Sequence, residues 1–159
     1  MALEIERKFL VDPQFLQYCS PSRTFKIRQC LIMSDVHKVV RVRISNEKGF
    51  LTIKSRNSGG VTRNEHEYEI PLEDAAEMIE MYGANLIYKV RHEVYNGDDV
   101  WEVDVYEGDN AGLIVAEIEL ESEDQEFMLP SWVRGEVTAD KRYANSSLAI
   151  NPFCNWRND

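Results

Sequence analysis

The chain has 159 residues, of which 43% are hydrophobic and 29% charged, and its net charge is −10. This length and composition predict one globular domain, without segments biased toward disorder. The negative charge argues against a nucleic-acid binder, because phosphate backbones are met by basic surfaces. To bind an anionic small molecule, the chain would have to collect its Lys and Arg residues in one cavity or neutralise carboxylates with divalent cations.

Period-two alternation of apolar and polar residues, broken by turn residues, predicts an antiparallel sheet or barrel. The eight expected strands cover roughly residues 3–11, 24–33, 38–46, 49–55, 62–70, 86–95, 100–107 and 113–121. Asn96-Gly97 favours a type I′ hairpin turn. Turns are also expected at Glu47-Lys48-Gly49 and Ser58-Gly59-Gly60.

Three helices are expected outside these strands. Residues 72–82 follow Pro71, place apolar residues on one face and end before Gly83. Ser122 begins a capping-box pattern that predicts a short helix ending before Pro130, and Thr138 is expected to cap a further helix. We predict a single domain over residues 1–150 and a tail over 151–159.

Cysteines and histidines are too scattered to indicate a disulfide framework or a zinc site. They are Cys19, Cys30, Cys154, His37, His66 and His92. No apolar run approaches the roughly 18 residues of a membrane helix, and the first residues lack the pattern of a signal peptide. We therefore expect reduced cysteines and a cytoplasmic protein that does not bind membranes.

Charged residues share one face of most predicted strands, and several strands hold a single sign. Arg41 and Arg43 alternate with apolar residues, whereas Glu residues recur on the fifth and eighth strands. Any one such strand fits an ordinary solvated sheet. The sorting by sign favours function, because like charges two residues apart repel each other. If these faces line a closed barrel, carboxylates could hold hard divalent ions while basic strands surround a polyanion.

Phosphoryl transfer to water requires in-line geometry, neutralised phosphoryl oxygens and an activated water, so no Ser, Cys or His nucleophile is needed. The sequence also lacks a Gly-rich phosphate loop followed by Lys-Ser or Lys-Thr.

An ordered set of motifs resembles the CYTH superfamily, also called triphosphate tunnel metalloenzymes, and in particular its short single-domain bacterial members. The motifs are Glu4-x-Glu6-x-Lys8, Phe25-Lys26-Ile27-Arg28-Gln29, Arg41-x-Arg43, Leu51-Thr52-Ile53-Lys54, Glu67-Tyr68-Glu69-Ile70, Lys89-x-Arg91, Trp101-Glu102-Val103-Asp104, Ala116-Glu117-Ile118-Glu119 and Val137-Thr138-x-Asp140-Lys141-Arg142-Tyr143. The resemblance covers residue 3 to about residue 148. It implies a mainly antiparallel α+β fold, in which an eight-stranded closed barrel forms a tunnel and a few helices pack outside.

The resemblance also implies roles for individual residues and one or two Mg²⁺ or Mn²⁺ ions. Expected metal ligands are Glu4, Glu6, Glu117, Glu119 and Asp104, and expected triphosphate contacts are Lys8, Arg41, Arg43, Lys54, Lys89, Arg91 and Lys141. Catalytic roles are expected for Glu67, Glu69 and Lys89, with Glu67 or Glu69 ordering the water or serving a second ion. Arg28 faces either the tunnel or solvent.

One position departs from the family pattern. Many short bacterial members have Gly-Tyr after the pair that corresponds to Arg28-Gln29, and their tyrosine is regarded as a candidate proton acceptor. Here the pair is Cys30-Leu31, and Leu31 cannot accept a proton. Either the metal suffices to activate water or the protein mainly binds its ligand.

The leading hypothesis is hydrolysis of inorganic tripolyphosphate to pyrophosphate and orthophosphate. Alternatives within the family are a nucleoside or thiamine triphosphatase and a class IV-type adenylate cyclase. Alternatives without catalysis are a polyphosphate or nucleotide sensor and a plain acidic β domain. Charge inside the barrel turns Val and Ile outward, and one expectation is that part of this apolar surface forms a homodimer interface.

Overall fold

The computed structural model describes residues 3–55 and 61–156. Its strands are β1 (Leu3–Val11), β2 (Arg23–Ser34), β3 (Lys38–Ser45), β4 (Lys48–Ser55), β5 (Thr62–Ile70), β6 (Leu86–Asn96), β7 (Asp99–Tyr106), β8 (Ile114–Glu119) and β9 (Val133–Glu136). The eight predicted strands are confirmed to within two residues at each end, and β9 was not predicted. The turn expected at Ser58-Gly59-Gly60 lies outside the described residues.

All paired strands are antiparallel, and eight of them close into a barrel. The sheet runs β5-β4-β3-β2-β6-β7-β8-β1, and β1 also pairs with β5 through residues Leu3 to Ile5, which closes the ring. The remaining length of β1 pairs with β8, and β9 adds to its end at Phe9 and Val11. Where β1 and β5 pair, the ring has no free strand edge. The closed sheet has an inner and an outer face.

Helix α1 (Leu72–Tyr82) has the predicted bounds. Glu73 and Asp74 lie in its first turn, where carboxylates interact favourably with the helix dipole. Its buried residues Ala75 and Ile79 pack on the outer face of the barrel with Val42 and neighbouring residues of β2 and β3. The alternating Val and Ile of those strands are therefore covered by this helix.

The expected helix at Ser122 is wrong. The Ser122 hydroxyl donates to the Asp124 carboxylate instead of accepting from the backbone, and the Gln125 side chain accepts from the Glu121 amide. These local hydrogen bonds hold the segment in turns, because side chains of this kind compete with helix formation.

The predicted capping role of Thr138 is also wrong. Its hydroxyl accepts from the Lys8 amide at 2.9 Å, which ties this segment to β1. A 3₁₀ turn at Lys141–Tyr143 follows and is capped by Asp140, after which α2 covers Asn145–Ile150.

Two aromatic clusters cover further parts of the barrel. Trp101 and Phe9 pack edge to face on the outer wall, against Phe127 and Trp132 of the segment between β8 and β9. The C-terminal Trp156 packs against Tyr143 and a 3₁₀ turn at Phe153–Asn155. Within the described residues, no helix is long and apolar enough to span a membrane.

The inner face changes from charged to apolar along the barrel. At one end, Ile87, Tyr106, Leu113 and Val115 form a cluster with Leu148 of α2, which is fully buried. Helix α2 therefore closes this end of the barrel and leaves the charged end open to a cavity.

Candidate active site in the barrel

A cavity of about 230 Å³ lies inside the barrel and is walled by inward-facing side chains of the strands and by α2. Among the described residues its wall contains five cations and seven carboxylates. They are Arg41, Arg43, Lys54, Arg63, Arg91, Glu4, Glu6, Glu65, Glu67, Glu102, Glu117 and Glu119. Alternation places these side chains inside, because each shares the inward parity of its strand.

The carboxylates of β1 and β8 form one side of the cavity. Glu6 lies opposite Glu119, and Lys8 lies opposite Glu117, in the β1–β8 register. Lys8 Nζ is 3.6 Å from the Glu117 carboxylate and 3.9 Å from that of Glu6. Burial raises the pKa of Glu119, and the charges of Glu4 and Glu6 raise it further. Negative charge is therefore incompletely compensated around Glu119.

Glu4 is shared between two cations of β4 and β5. Lys54 Nζ lies 3.1 Å and Arg63 Nε 3.3 Å from the Glu4 carboxylate, and Lys54 also lies 3.1 Å from Glu65. Although burial opposes ionisation, Lys54 and Arg63 lower the pKa of Glu4. Burial and the neighbouring Arg41 lower the pKa of Lys54 to about 8. The cations and carboxylates of this wall thus serve as each other's counterions.

Across the cavity, Arg41 and Arg43 form a basic wall on β3. Arg41 Nη2 donates to Thr52 Oγ1 at 3.1 Å and to the Glu67 carboxylate at 3.4 Å, while its buried Nε has no hydrogen-bond partner among the described residues. Arg43 Nε donates to Gln29 Oε1 at 3.0 Å. Burial, with Arg43 nearby, lowers the pKa of Arg41 to about 9. A buried donor without a hydrogen-bond partner is energetically costly. This wall is therefore suited to bind an anion that accepts a hydrogen bond from Arg41.

Beneath the cavity wall lies a buried ionic cluster of Lys89, Arg91 and Asp104. Lys89 Nζ and Arg91 Nε each lie 2.7 Å from Asp104 oxygens, and Asp104 and the Lys89 side chain are fully buried. Burial opposes the charge of Asp104, but Arg91 and Lys89 lower its pKa. Burial also lowers the pKa of Lys89 to about 7, against the opposing effect of Asp104.

This arrangement differs from two expectations. Lys89 and Asp104 do not line the cavity. Asp104 lies between Lys89 and Arg91, and Lys89 lies against Asp104. Their expected roles toward a metal ion and a phosphate stay predictions.

Lys8 also does not line the cavity, although it lies beside Glu6 and Glu117, and two other predicted residues lie away from it. Glu69 is exposed near the end of β5, opposite Phe50, and Lys141 is exposed in the 3₁₀ turn before α2. Arg28 is exposed, whereas its neighbour Gln29 faces the cavity. Leu31 lines the cavity at the position where the family pattern has its tyrosine.

No group of three or more His, Cys, Asp or Glu side chains within the described part of the chain is gathered closely enough to form a ready cation site. Lys8, Lys54 and Arg63 lie among the carboxylates of β1 and β8, which accounts for this.

Several cavity residues were absent from the predicted site. Arg63 and Glu65 have the same parity as Glu67, and Glu102 has that of Asp104, so extending the alternation would have found them. Asn145 has no such signal, because the packing of α2 brings it to the wall.

The fold and the charged cavity wall together define the class of protein: it is a closed antiparallel β-barrel with a charged, tunnel-like interior. The chain belongs to the CYTH domain family, whose model matches residues 2–149. This confirms the resemblance inferred from the motifs.

Two similar proteins are named inorganic triphosphatases. One, from Acetivibrio thermocellus, is 43% identical over 158 residues and is matched over 99% of each chain. The other, from Nitrosomonas europaea, is 34% identical over 157 residues, which is 93% of this chain and 97% of the relative. The crystal structure of the inorganic triphosphatase NE1496 superposes with a TM-score of 0.66 at 31% identity, covering 94% of this chain and 96% of that one.

Proposed function

We propose that this protein is a divalent-metal-dependent triphosphatase that hydrolyses inorganic tripolyphosphate to pyrophosphate and orthophosphate. The observation that supports this most directly is the buried Nε donor of Arg41, which has no partner among the described residues and lies in the cavity wall. A guanidinium donor without a partner is suited to an anionic ligand, such as a phosphoryl oxygen. The two relatives named inorganic triphosphatases, similar over nearly the whole chain, support the choice of substrate.

The cavity residues fit a divalent cation such as Mg²⁺ or Mn²⁺. Glu4, Glu6, Glu117 and Glu119 offer the oxygen ligands that hard cations prefer, and they crowd enough for burial and their mutual charge to raise the pKa of Glu119. When bound, the ion supplies charge neutralisation at the phosphoryl oxygens and activation of the attacking water. Asp104 would contribute through Arg91 and Lys89, since both lie against it.

The chain's own cations bind and orient the triphosphate. Arg41, Arg43 and Arg91 present guanidinium donors to phosphoryl oxygens, and Arg43 is held by Gln29. Lys54 and Arg63, which line the cavity, provide further positive charge, and Lys8 adds charge from its position beside Glu6 and Glu117. Catalysis then depends on positioning and charge, as phosphoryl transfer requires.

Glu67 orders the attacking water in this scheme. Thr52 Oγ1 donates to its carboxylate at 2.9 Å and Arg41 Nη2 at 3.4 Å, so the group is oriented while its side chain stays partly exposed to the cavity. Leu31 cannot take a proton, which leaves Glu67 as the oriented acceptor on this wall. Homodimer formation and a cytoplasmic location stay predictions of the sequence.

A phosphate-release panel tests the proposal. Purified protein is incubated with tripolyphosphate, pyrophosphate, ATP, GTP or thiamine triphosphate, in the presence of Mg²⁺, Mn²⁺ or EDTA. We expect rapid release from tripolyphosphate with a divalent ion and none with EDTA. Rapid cleavage of another triphosphate, with none of tripolyphosphate, would refute the proposed substrate, and chromatography of the ATP products would reveal cyclic AMP.

A matched pair of variants tests the role of the β1 carboxylates in metal binding. Glu6→Gln should raise the metal concentration needed for half-maximal activity. Glu77→Gln, an exposed change on α1, should leave the metal requirement unaltered.

A further inference from the structure

The first residue of α2 connects the cavity to the buried ionic cluster. Asn145 lines the cavity, and its side-chain Oδ1 accepts a hydrogen bond from Tyr106 Oη at 2.7 Å and another from Lys89 Nζ at 3.2 Å. Neither Lys89 nor Tyr106 lines the cavity, and both are almost completely buried. Asn145 is therefore the member of this trio that a ligand can reach.

The chemistry of Lys89 determines which way the Asn145 amide faces. Lys89 Nζ donates to Asp104 at 2.7 Å and acts as a donor toward Asn145 as well, so the atom that faces Lys89 is the amide oxygen. The amide nitrogen then points away from Lys89 and Tyr106. Within residues 3–55 and 61–156, no hydrogen bond involves this nitrogen, so its two hydrogens remain available at the cavity wall.

We propose that Asn145 contacts the substrate of the proposed triphosphatase, donating a neutral hydrogen bond to a phosphoryl oxygen at the end of the cavity closed by α2. Lys89 and Tyr106 are positioning residues that act through Asn145. This inference rests on the proposed function and assigns roles to Asn145 and Tyr106, which lie outside the charged motifs.

The surroundings explain why a neutral donor is useful there. Lys89 is neutralised by Asp104 at 2.7 Å, and the neighbouring wall at this end includes the apolar side chains of Leu31 and Ile87. An anionic oxygen that reaches this end loses water beside apolar side chains, and an oriented amide restores a hydrogen bond.

Asn145→Asp is the sharpest substitution. The new carboxylate can still accept from Tyr106 and Lys89, so the fold is kept, but the two donor hydrogens are replaced by an acceptor oxygen. The matched control is Asn151→Asp, the same chemical change just after the same helix at an exposed position away from the cavity. Asn145→Leu is a second variant, which removes the donor without adding charge.

Two measurements are made, the KM for tripolyphosphate with Mg²⁺ and, by calorimetry in EDTA, the Kd for tripolyphosphate. We expect Asn145→Asp and Asn145→Leu to raise both by about 10- to 100-fold, the loss of one hydrogen bond to a charged group, while Asn151→Asp leaves them unchanged. Tyr106→Phe removes one anchor of the amide and should raise KM several-fold while changing kcat less.

The outcomes separate this inference from the proposed function. If wild-type protein binds and cleaves tripolyphosphate but Asn145→Asp and Asn145→Leu behave like Asn151→Asp, the inference is overturned and the proposed function stands. If wild-type protein neither binds nor cleaves tripolyphosphate, the proposed function fails first. A Tyr106→Phe variant that lowers the urea midpoint without changing KM would show that Tyr106 is merely structural.

Discussion

Replacing Asp104 by Asn should destabilise the protein strongly. The carboxylate is fully buried and lies 2.7 Å from Lys89 Nζ and from Arg91 Nε, so its removal leaves two buried cations without their counterion. Removing one partner of a buried ion pair costs about 3–5 kcal/mol. For a chain of this length that loss corresponds to a fall in Tm of about 6–20 °C.

The pH dependence of this loss has a definite sign. Burial lowers the pKa of Lys89 to about 7, below its unfolded value, so the protonated amine is the form that needs Asp104 in the folded state. The Lys89 contribution to the loss should therefore be present below pH 7 and shrink as the pH rises through about 7. The Arg91 contribution should persist, because a guanidinium keeps its charge.

Urea unfolding followed by the fluorescence of buried Trp101 and Trp132 measures this change. The control is Glu102→Gln on the same strand, whose partly exposed carboxylate lies 3.1 Å from Arg91 and should contribute less than about 1 kcal/mol. Asp104→Asn combined with Lys89→Met should recover part of the stability. Wild-type stability in Asp104→Asn, together with a higher Mg²⁺ concentration for half-maximal activity, would refute the counterion role and support Asp104 as a metal ligand.

Three further predictions concern the inner wall, the closed end and the outer helix. Arg41→Ala should raise KM for tripolyphosphate by about 10- to 100-fold in phosphate-release assays, because a charge-assisted hydrogen bond contributes about 1.5–3 kcal/mol. The exposed control Arg28→Ala should leave KM unchanged. Leu148→Ala should cost about 2–5 kcal/mol in urea unfolding, and exposed Ile150→Ala on the same helix under about 0.5 kcal/mol; equal midpoints would contradict the packing of α2. Gly49→Ala places a Cβ 2.7 Å from Ala75 Cβ and should lower the free energy of unfolding by about 1–3 kcal/mol. Gly135→Ala is the control, because a Cβ there meets no atom within 4 Å; an equal loss in both variants would contradict the close packing of Gly49 against α1.

Much of the barrel is predictable because strand alternation has a strict period of two. Once Arg41 and Arg43 face inward, Val42 and Ile44 must face outward, and α1 has the apolar face that covers them. Strand β9 cannot be predicted from alternation. It has four residues, includes Gly135 and pairs with β1 only at Phe9 and Val11, so its strand conformation depends on a neighbour remote in sequence.

The two wrong helix-cap predictions concern side chains that have more than one possible hydrogen-bond partner. Thr138 has the composition of a helix cap, yet its hydroxyl binds the backbone of Lys8, 130 positions away along the chain. Ser122 begins a capping-box pattern but donates to Asp124. Local patterns do not distinguish these uses, because the competing partner is chosen by tertiary structure or by the nearest carboxylate.

Parity alone also does not tell how deep an inward residue lies. Lys89 and Arg91 share a face of β6, yet Arg91 reaches the cavity and Lys89 is sealed beneath it by Asp104 and Asn145. Depth depends on where α2 closes the barrel, and the apolar residues that receive Leu148 are spread over several strands.

The charge balance of the cavity explains how a chain with a net charge of −10 can accept a polyanion. Its cations are buried next to carboxylates, as Lys54 is with Glu4 and Lys8 with Glu117, so the barrel can hold them without exposing a basic surface. Buried charges need such partners, because isolated ones are too costly to desolvate. Binding a metal ion and a triphosphate together exchanges these internal pairs for pairs with the ligands and leaves the number of compensated charges similar. Neither ligand alone achieves this exchange, so the metal and the triphosphate should bind cooperatively.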